Sequence, residues 1–307
     1  MYEFIILERM DPNNEQDAFS HEVSAKQGKI NQNFVPHGGL ESPPFPPHGG
    51  LKPPHFAPLL EKVDFQKGDV SQKGDIGVAK KPRKTQPLLE KCYTEDPDIF
   101  EIGVDEVGRG PLFGRVYTAA VILPKDDSFD HSKMKDSKKF HSKTKIEEAS
   151  DYIKENALAW HISYEDETIV DKINILQATQ QSMHNSIINI RKQKPDCKIQ
   201  LLIDGNYFKP ITFVNKKINK IESLPYVCVE GGDNKYSAIA AASILAKVER
   251  DKYIEQLCIE YPYLSTKYNI DKNKGYGAKK HIDGIKEHGI TIWHRKTFGI
   301  CKQYITE

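Results

Sequence analysis

Three places in the chain put carboxylates where chemistry could use them. The first is the adjacent pair Asp105 and Glu106, followed by Gly108, Gly110 and Gly114. Two acids side by side, next to backbone that glycine frees for close approach, point to a metal and phosphate site. A surface hairpin with an acidic, glycine-rich turn has the same composition, so this segment alone leaves both readings open. The second place is Asp204, at the end of an apolar run, and the third is Asp233, just ahead of a run of small residues. Asp204 alone could be a turn former and Asp233 a helix cap. Together with the first pair they make a shared site the more attractive reading.

The elements that would position these acids are legible as periodicity. Phe100, Ile102 and Val104 alternate, which predicts a strand delivering Asp105 and Glu106 at its end, and 116–123 reads as a second strand. A short buried strand over 199–203 ends in Asp204-Gly205-Asn206, the strand end where ligands gather in α/β sheets. Strands are also expected at 158–162 and 226–229. Helices are expected at 144–156, 174–191 and 278–288. The run S-A-I-A-A-A-S-I-L-A at 237–246 predicts a helix that packs very closely on its neighbour. The lysine-rich and serine-rich stretch 133–145 suits phosphate contacts. W-H-R-K-T-F at 293–298 interleaves basic and aromatic side chains in the manner of a nucleic-acid contact. Tyr276, beside glycine, has the plainer reading of a turn with its ring on the core. His281, His288 and His294 form no i, i+4 metal pair and read as structural or polar-surface residues.

Whole-chain properties narrow the class. The 307 residues allow one large or two small domains. Charge is almost balanced, 44 basic against 43 acidic residues, so nucleic-acid contact must come from a local patch. Cys92, Cys197, Cys228, Cys258 and Cys301 are scattered and odd in number, as free thiols in a reducing compartment would be. No apolar run approaches the ~20 residues of a membrane span, and Phe4-Ile5-Ile6-Leu7 is too short for a signal peptide. The expectation is a soluble, cytoplasmic monomer. Residues 1–90 are rich in Pro, Gly, Gln and Asn, with Pro-His-Gly-Gly-Leu at both 36–40 and 47–51, and are expected to be a disordered extension ahead of a folded domain over 91–307. Within the extension, Lys80-Lys81-Pro82-Arg83-Lys84 reads as a nuclear-import signal, a nucleic-acid arm or a plain solvated patch.

The motifs combine in a recognisable order. D-E-V-G-R-G-P at 105–111, D-S-K-K at 136–139, N-I-L-Q-A-T at 174–179, L-I-D-G-N at 202–206 and G-D at 232–233 are followed by A-A-A-S-I-L-A-K-V-x-R-D at 240–251, K-G-Y-G at 274–277 and H-R-K-T-F at 294–298. Over residues 99–301 the chain closely resembles ribonuclease HII. The resemblance implies an α/β, RNase H-like fold: a mixed five-stranded sheet flanked by helices, with a C-terminal helical substrate-binding part. It implies cleavage of the RNA strand of RNA/DNA hybrids and incision 5′ of a single ribonucleotide in duplex DNA. The catalytic, metal-binding acids would be Asp105, Glu106, Asp204 and Asp233. Substrate would be bound by Gly108, Arg109 and Gly110, by Tyr276 at the RNA-to-DNA junction, and by Lys138 and Lys139 at phosphates. Two Mg²⁺ or Mn²⁺ ions ~4 Å apart would activate water and stabilise the leaving oxygen, while the 2′-hydroxyl would distinguish RNA from DNA.

Some residues depart from the family pattern: Phe113 and Arg115 after P-L, Gly231 before Gly-Asp, Asn273 before K-G-Y-G, and Thr297 in the last motif. None removes an acid. Ribonuclease HIII is the nearest alternative, but it would bring a lysine in the glycine element and a folded N-terminal module. A catalytically silent hybrid-binding protein and a recombinase-type nuclease are the others. The partners implied are RNA/DNA hybrid and ribonucleotide-containing duplex DNA. No membrane partner is expected, nor a sliding clamp, since no convincing clamp-binding peptide is visible at the C-terminus.

Overall fold

A computed structural model describes residues 88–195, 197–215 and 219–305. The expected extension, with its basic run at 80–84, lies outside them apart from 88–90. Glu90 is already tied to the fold: its N–H donates to the Lys235 carbonyl at 2.8 Å and its carbonyl accepts from the Ser237 N–H at 2.9 Å. The expected boundary at 90/91 therefore cuts through a pairing.

Among the described residues there are seven strands and six α-helices. The strands are β1 (Ile99–Val107), β2 (Val116–Ile122), β3 (Ala159–Glu165), β4 (Lys198–Asp204), β5 (Thr212–Asn215), β6 (Lys220–Ser223) and β7 (Tyr226–Val229). The helices are α1 (Lys143–Asn156), α2 (Glu167–Gln193), α3 (Ser237–Glu260), α4 (Tyr263–Tyr268), α5 (Ile270–Asn273) and α6 (Lys279–His288). The main sheet has the order β3-β2-β1-β4-β7. β1 pairs antiparallel with β2 and parallel with β4, so the sheet is mixed and five-stranded as expected. β5 and β6 form a separate hairpin that no sequence signal announced.

β1 is the central strand, and its alternation sorts the two faces. Ile102 and Val104 pack into a core with Met183, Ile187 and Ile190 of α2, and each such aliphatic side chain contributes roughly 1.5–3 kcal/mol on burial. Gly103 and Asp105 face α3 instead. A Cβ on Gly103 would stand 2.2 Å from the Ala238 carbonyl carbon, so glycine on the strand and alanine on the helix are what allow α3 to lie this close. That approach lays α3 against β1 and β2, with Ser243 of the helix in reach of the Asp105 carboxylate.

α2 is longer than its apolar pattern predicted and contains a break. Asn174 has φ 66° and ψ 162°, and its Oδ1 accepts from the Gln177 N–H at 3.1 Å, so the second half of the helix begins with its own cap. The C-terminal part, α4 to α6 with a 3-10 turn at Gly299–Tyr304, closes around Phe113, Leu264, Tyr268, Ile285 and Cys301. Among the described residues no helix is long and apolar enough to cross a membrane.

Candidate active site

The acids Asp105, Glu106, Asp204 and Asp233 meet at the carboxyl ends of β1 and β4. Asp105 and Asp233 are buried, and each carboxylate is fixed by its neighbours. The Glu106 N–H donates to Asp105 Oδ1 at 2.7 Å, and the Gly232 N–H donates to Asp204 Oδ1 at 2.7 Å. Asp233 sits in a 3-10 turn, Gly232–Asn234, and accepts from Asn234 Nδ2 at 2.9 Å. It does not cap α3, whose N-cap is Tyr236. Gly231, a departure from the family pattern, has φ 62° at the entry to this turn, a conformation glycine adopts without cost.

The electrostatics are those of crowded acids. Burial holds the Asp105 carboxyl well above the ordinary carboxylate range, and the charges of Glu106 and Asp204 push it further, against a hydrogen bond from Ser243. Glu106 is raised by burial, with Asp204 adding to the shift and Arg109 opposing it across 3.3 Å. Asp233 is raised by burial and by Asp136 and Asp204. Lys138 stands 3.9 Å from Asp233 Oδ2. Its partial burial would lower its pKa, but Asp233, Asp136, Asp105 and Asp204 together hold it above the usual value.

Two residues that drew no assignment from sequence organise this end. Asp136 is buried; its Oδ1 accepts from the Lys138 N–H at 2.9 Å and its Oδ2 from Asn234 Nδ2 at 3.3 Å, so it joins the lysine loop to the Asp233 turn. Ser243 of α3 reaches Asp105 and also meets the Ser137 hydroxyl at 3.0 Å. Lys139 donates to Asn234 Oδ1 and so is partly occupied within the fold. The only hint of these links in sequence was that D-S-K-K and the serine of the small-residue helix belonged to the ordered motifs.

Beside the acids lies the loop 108–114, held from beneath by two buried arginines. Arg295 is fully buried and donates only to carbonyls: Nε to Gly114 at 2.9 Å, Nη1 to Arg109 at 2.9 Å and Pro111 at 3.0 Å, Nη2 to Gly108 at 2.6 Å. Arg250 of α3 donates Nη2 to the Lys274 carbonyl at 3.0 Å and to that of Phe113 at 3.3 Å, and Nε to that of Arg115 at 3.3 Å. Gly108 has φ 91°, and a Cβ there would strike Arg250 Nε at 2.4 Å. W-H-R-K-T-F read as suited to nucleic-acid contact, but its arginine, Arg295, is buried and serves the loop instead. Guanidinium geometry, with its fork of donors, is spent here on ordering a loop.

The K-G-Y-G turn is ordered with equal care. Leu112 N–H donates to the Gly275 carbonyl at 2.9 Å, which joins the two loops, and Asn273 Oδ1 accepts from the Gly275 N–H at 2.8 Å. Tyr276 is half exposed, with a ring carbon 3.7 Å from where a Gly110 Cβ would be, so its ring lies over the glycine loop and not in the core. Beneath it a histidine pair runs through the interior. The Thr291 N–H lies 2.9 Å from His294 Nδ1, which must accept it; His294 Nε2 then donates to His281 Nε2 at 3.0 Å, and His281 Nδ1 donates to the Tyr276 carbonyl at 2.8 Å. Both rings are thus neutral. Burial lowers His281, and it pushes His294 down to about 3 with the help of the adjacent ring. Of the three histidines read as structural or polar-surface residues, these two are structural. Phe113, another departure, packs edge-on to both rings, 6.4 Å from His281 and 5.1 Å from His294.

The donor set suits a hard divalent ion: four carboxylates, no thiolate or imidazole, and raised protonation that a bound cation would relieve. Among the described residues no three His, Cys, Asp or Glu side chains already stand together at metal-ligating distance.

A family model for ribonuclease HII matches residues 102–301. The ribonuclease HII of Bacteroides thetaiotaomicron is 43% identical over 205 residues, covering 66% of this chain and 91% of the relative. That of Oceanobacillus iheyensis is 42% identical over 247 residues, covering 76% and 86%. Among solved structures, the PCNA:RNase HII complex from Archaeoglobus fulgidus aligns with a TM-score of 0.50 at 23% identity, covering 66% of this chain and 96% of that one, a likeness of fold.

Proposed function

This chain belongs to the ribonuclease HII family, endonucleases of the ribonuclease H type that act on RNA/DNA hybrids, and from that premise we propose how its residues divide the work. Asp105, Glu106, Asp204 and Asp233 hold divalent metal, and Gly108, Arg109, Gly110 and Tyr276 select the ribonucleotide whose 5′ phosphodiester is hydrolysed, in long hybrids and at single ribonucleotides in duplex DNA. What supports the reading is one adjacency: a charge-crowded carboxylate set lies directly beside a glycine loop covered by an exposed tyrosine.

A pair of Mg²⁺ or Mn²⁺ ions at these acids would supply Lewis-acid activation of water and of the leaving oxygen. The chain's own residues do the rest. Asp105 and Asp204, each fixed by a backbone N–H, keep their carboxylates oriented before substrate arrives. Arg109 offsets Glu106 and leaves half its length to solvent, where a phosphate would meet it. Lys138, and to a lesser degree Lys139, faces the scissile strand's phosphates. The Gly108 to Gly110 backbone approaches the 2′-hydroxyl, and the Tyr276 ring packs on the following deoxyribose.

The test uses purified protein, Mg²⁺ or Mn²⁺, and duplex DNA carrying one ribonucleotide. A nick on its 5′ side is expected. No cleavage with either metal, while long hybrid is digested, would remove the single-ribonucleotide half of this reading.

A further inference from the structure

The lysine-rich stretch contributes more than Lys138 and Lys139. Upstream and downstream of them, Ser132, Lys133, Lys135, Phe140, Lys145, Glu148 and Ala149 line an open concavity of about 310 Å³. Its floor is rigid. Asp130 caps the 3-10 turn His131–Lys133 by accepting from the Ser132 N–H at 3.1 Å, and His131 Nε2 is hydrogen-bonded to the Pro124 carbonyl at 3.0 Å. The lysines are held as well: Lys133 Nζ lies 3.8 Å from the centre of the Tyr152 ring, and Lys135 Nζ 4.2 Å from that of Phe140. Ammonium groups resting on aromatic faces are restrained while keeping N–H donors for a further partner. One acid, Glu148, faces three lysines, so the concavity is net positive. The neighbouring lysines Lys138, Lys139 and Lys143 are engaged with Asp233, Asn234 and Glu255, whereas Lys133, Lys135 and Lys145 form no ion pair among the described residues.

We propose that Lys133, Lys135 and Lys145 bind a second backbone phosphate of the nucleic-acid substrate, one to a few nucleotides from the scissile group. The proposal rests on the functional reading above. Its chemistry is phosphate recognition by point charges, which carries no base information and fixes the duplex in register. The reach is right, because Lys135 is three residues from Lys138. Chain geometry limits their Cα separation to roughly 11 Å, which keeps the concavity close to the lysine that stands beside the acids.

The experiment compares the intact protein with Lys133→Ala/Lys135→Ala/Lys145→Ala on a ribonucleotide-containing duplex over a range of salt. Each phosphate contact contributes about 0.9 to the slope of log affinity against log salt. We expect the variant to lose one such contact from the slope of log KM, with KM raised about tenfold at low salt and kcat at saturation within about twofold. The triple Lys→Arg variant should restore KM and slope. Shortening the duplex on the side that spans the concavity should erase the difference between variant and parent. An unchanged salt slope, a loss confined to kcat, or a difference that persists on the shortest cleavable duplex would each overturn the proposal. Failure of the parent itself to cut would instead count against the functional reading, so the two are distinguishable.

Discussion

The acids and the glycine loop are neighbours in sequence and in space, yet they handle charge in opposite ways. At Asp105, Glu106, Asp204 and Asp233, like charges are gathered with few partners, and burial raises three of the four carboxyls. At 108–114 and 274–277, two arginines are buried instead, and each donates to several backbone carbonyls. The first region is left electrostatically unfinished, which suits a site completed by metal. The second is finished internally, which suits a surface that must hold its shape against a substrate. Charge that does chemistry is left available, and charge that positions is used up.

The strongest way to break this contrast is a pair of variants with opposite effects on stability. Asp105→Asn should lower cleavage by about 10³-fold or more, the scale of losing a group that acts in the transition state, while hybrid binding stays measurable. It should also raise the stability of the metal-free protein by about 1–2 kcal/mol, because it removes a buried, repelled charge. Arg295→Met should do the reverse, destabilising by about 3–5 kcal/mol, since the Gly108, Arg109, Pro111 and Gly114 carbonyls lose their donors. Urea unfolding of both proteins without metal decides it. A destabilised Asp105→Asn, or an Arg295→Met as stable as the parent, would contradict the division drawn here.

A smaller effect sharpens the role of the second region. Tyr276→Ala removes a surface ring without disturbing the carbonyl that His281 holds. It should weaken single-ribonucleotide incision by about tenfold, the scale of one aromatic stacking contact, and hybrid digestion less. Equal losses on both substrates in kcat/KM assays would reject junction reading.

The two regions should also answer to pH with opposite signs. The acids have folded pKa values raised above their unfolded ones, so their stabilising contribution is present at low pH and is lost as pH rises from about 4 through the raised values. The stability gained by Asp105→Asn should therefore vanish near pH 4 and grow toward neutrality. His281 and His294 are lowered from 6.5, so their neutral pair is fully favourable above that value and costs stability as pH falls below it. The destabilisation caused by His281→Asn should shrink on acidification below about pH 6.5, as seen by urea unfolding at several pH values. A pH-independent difference in either variant would show that the group's charge is not what the fold responds to. The smallest effect is expected from removing residues 1–87, which leaves the Glu90 pairing intact and should change kcat/KM by less than about twofold.

Much of this was legible in the chain. Strand periodicity located β1, β2, β4 and β7 within a residue or two, because each carries an apolar run, and the acids stood at strand ends where α/β sheets gather ligands. The small-residue run pointed to a closely packed α3, and Gly103 is what admits the Ala238 backbone at that distance. The hairpin β5 and β6 escaped notice because β6, K-I-E-S, is largely exposed and carries no apolar run to mark it.

Sequence by itself singled out the acids, the glycines and Tyr276 as site candidates, through residue type and motif order. Tertiary structure alone decided which cations stay exposed and which the fold encloses. Arg295 and Lys138 read alike as basic residues in the ordered motifs of one chain. One is enclosed where only carbonyls can answer its donors, and the other stands at the rim of four carboxylates with its ammonium exposed. Burial is a property of what folds over a residue, and no local pattern of charge records it.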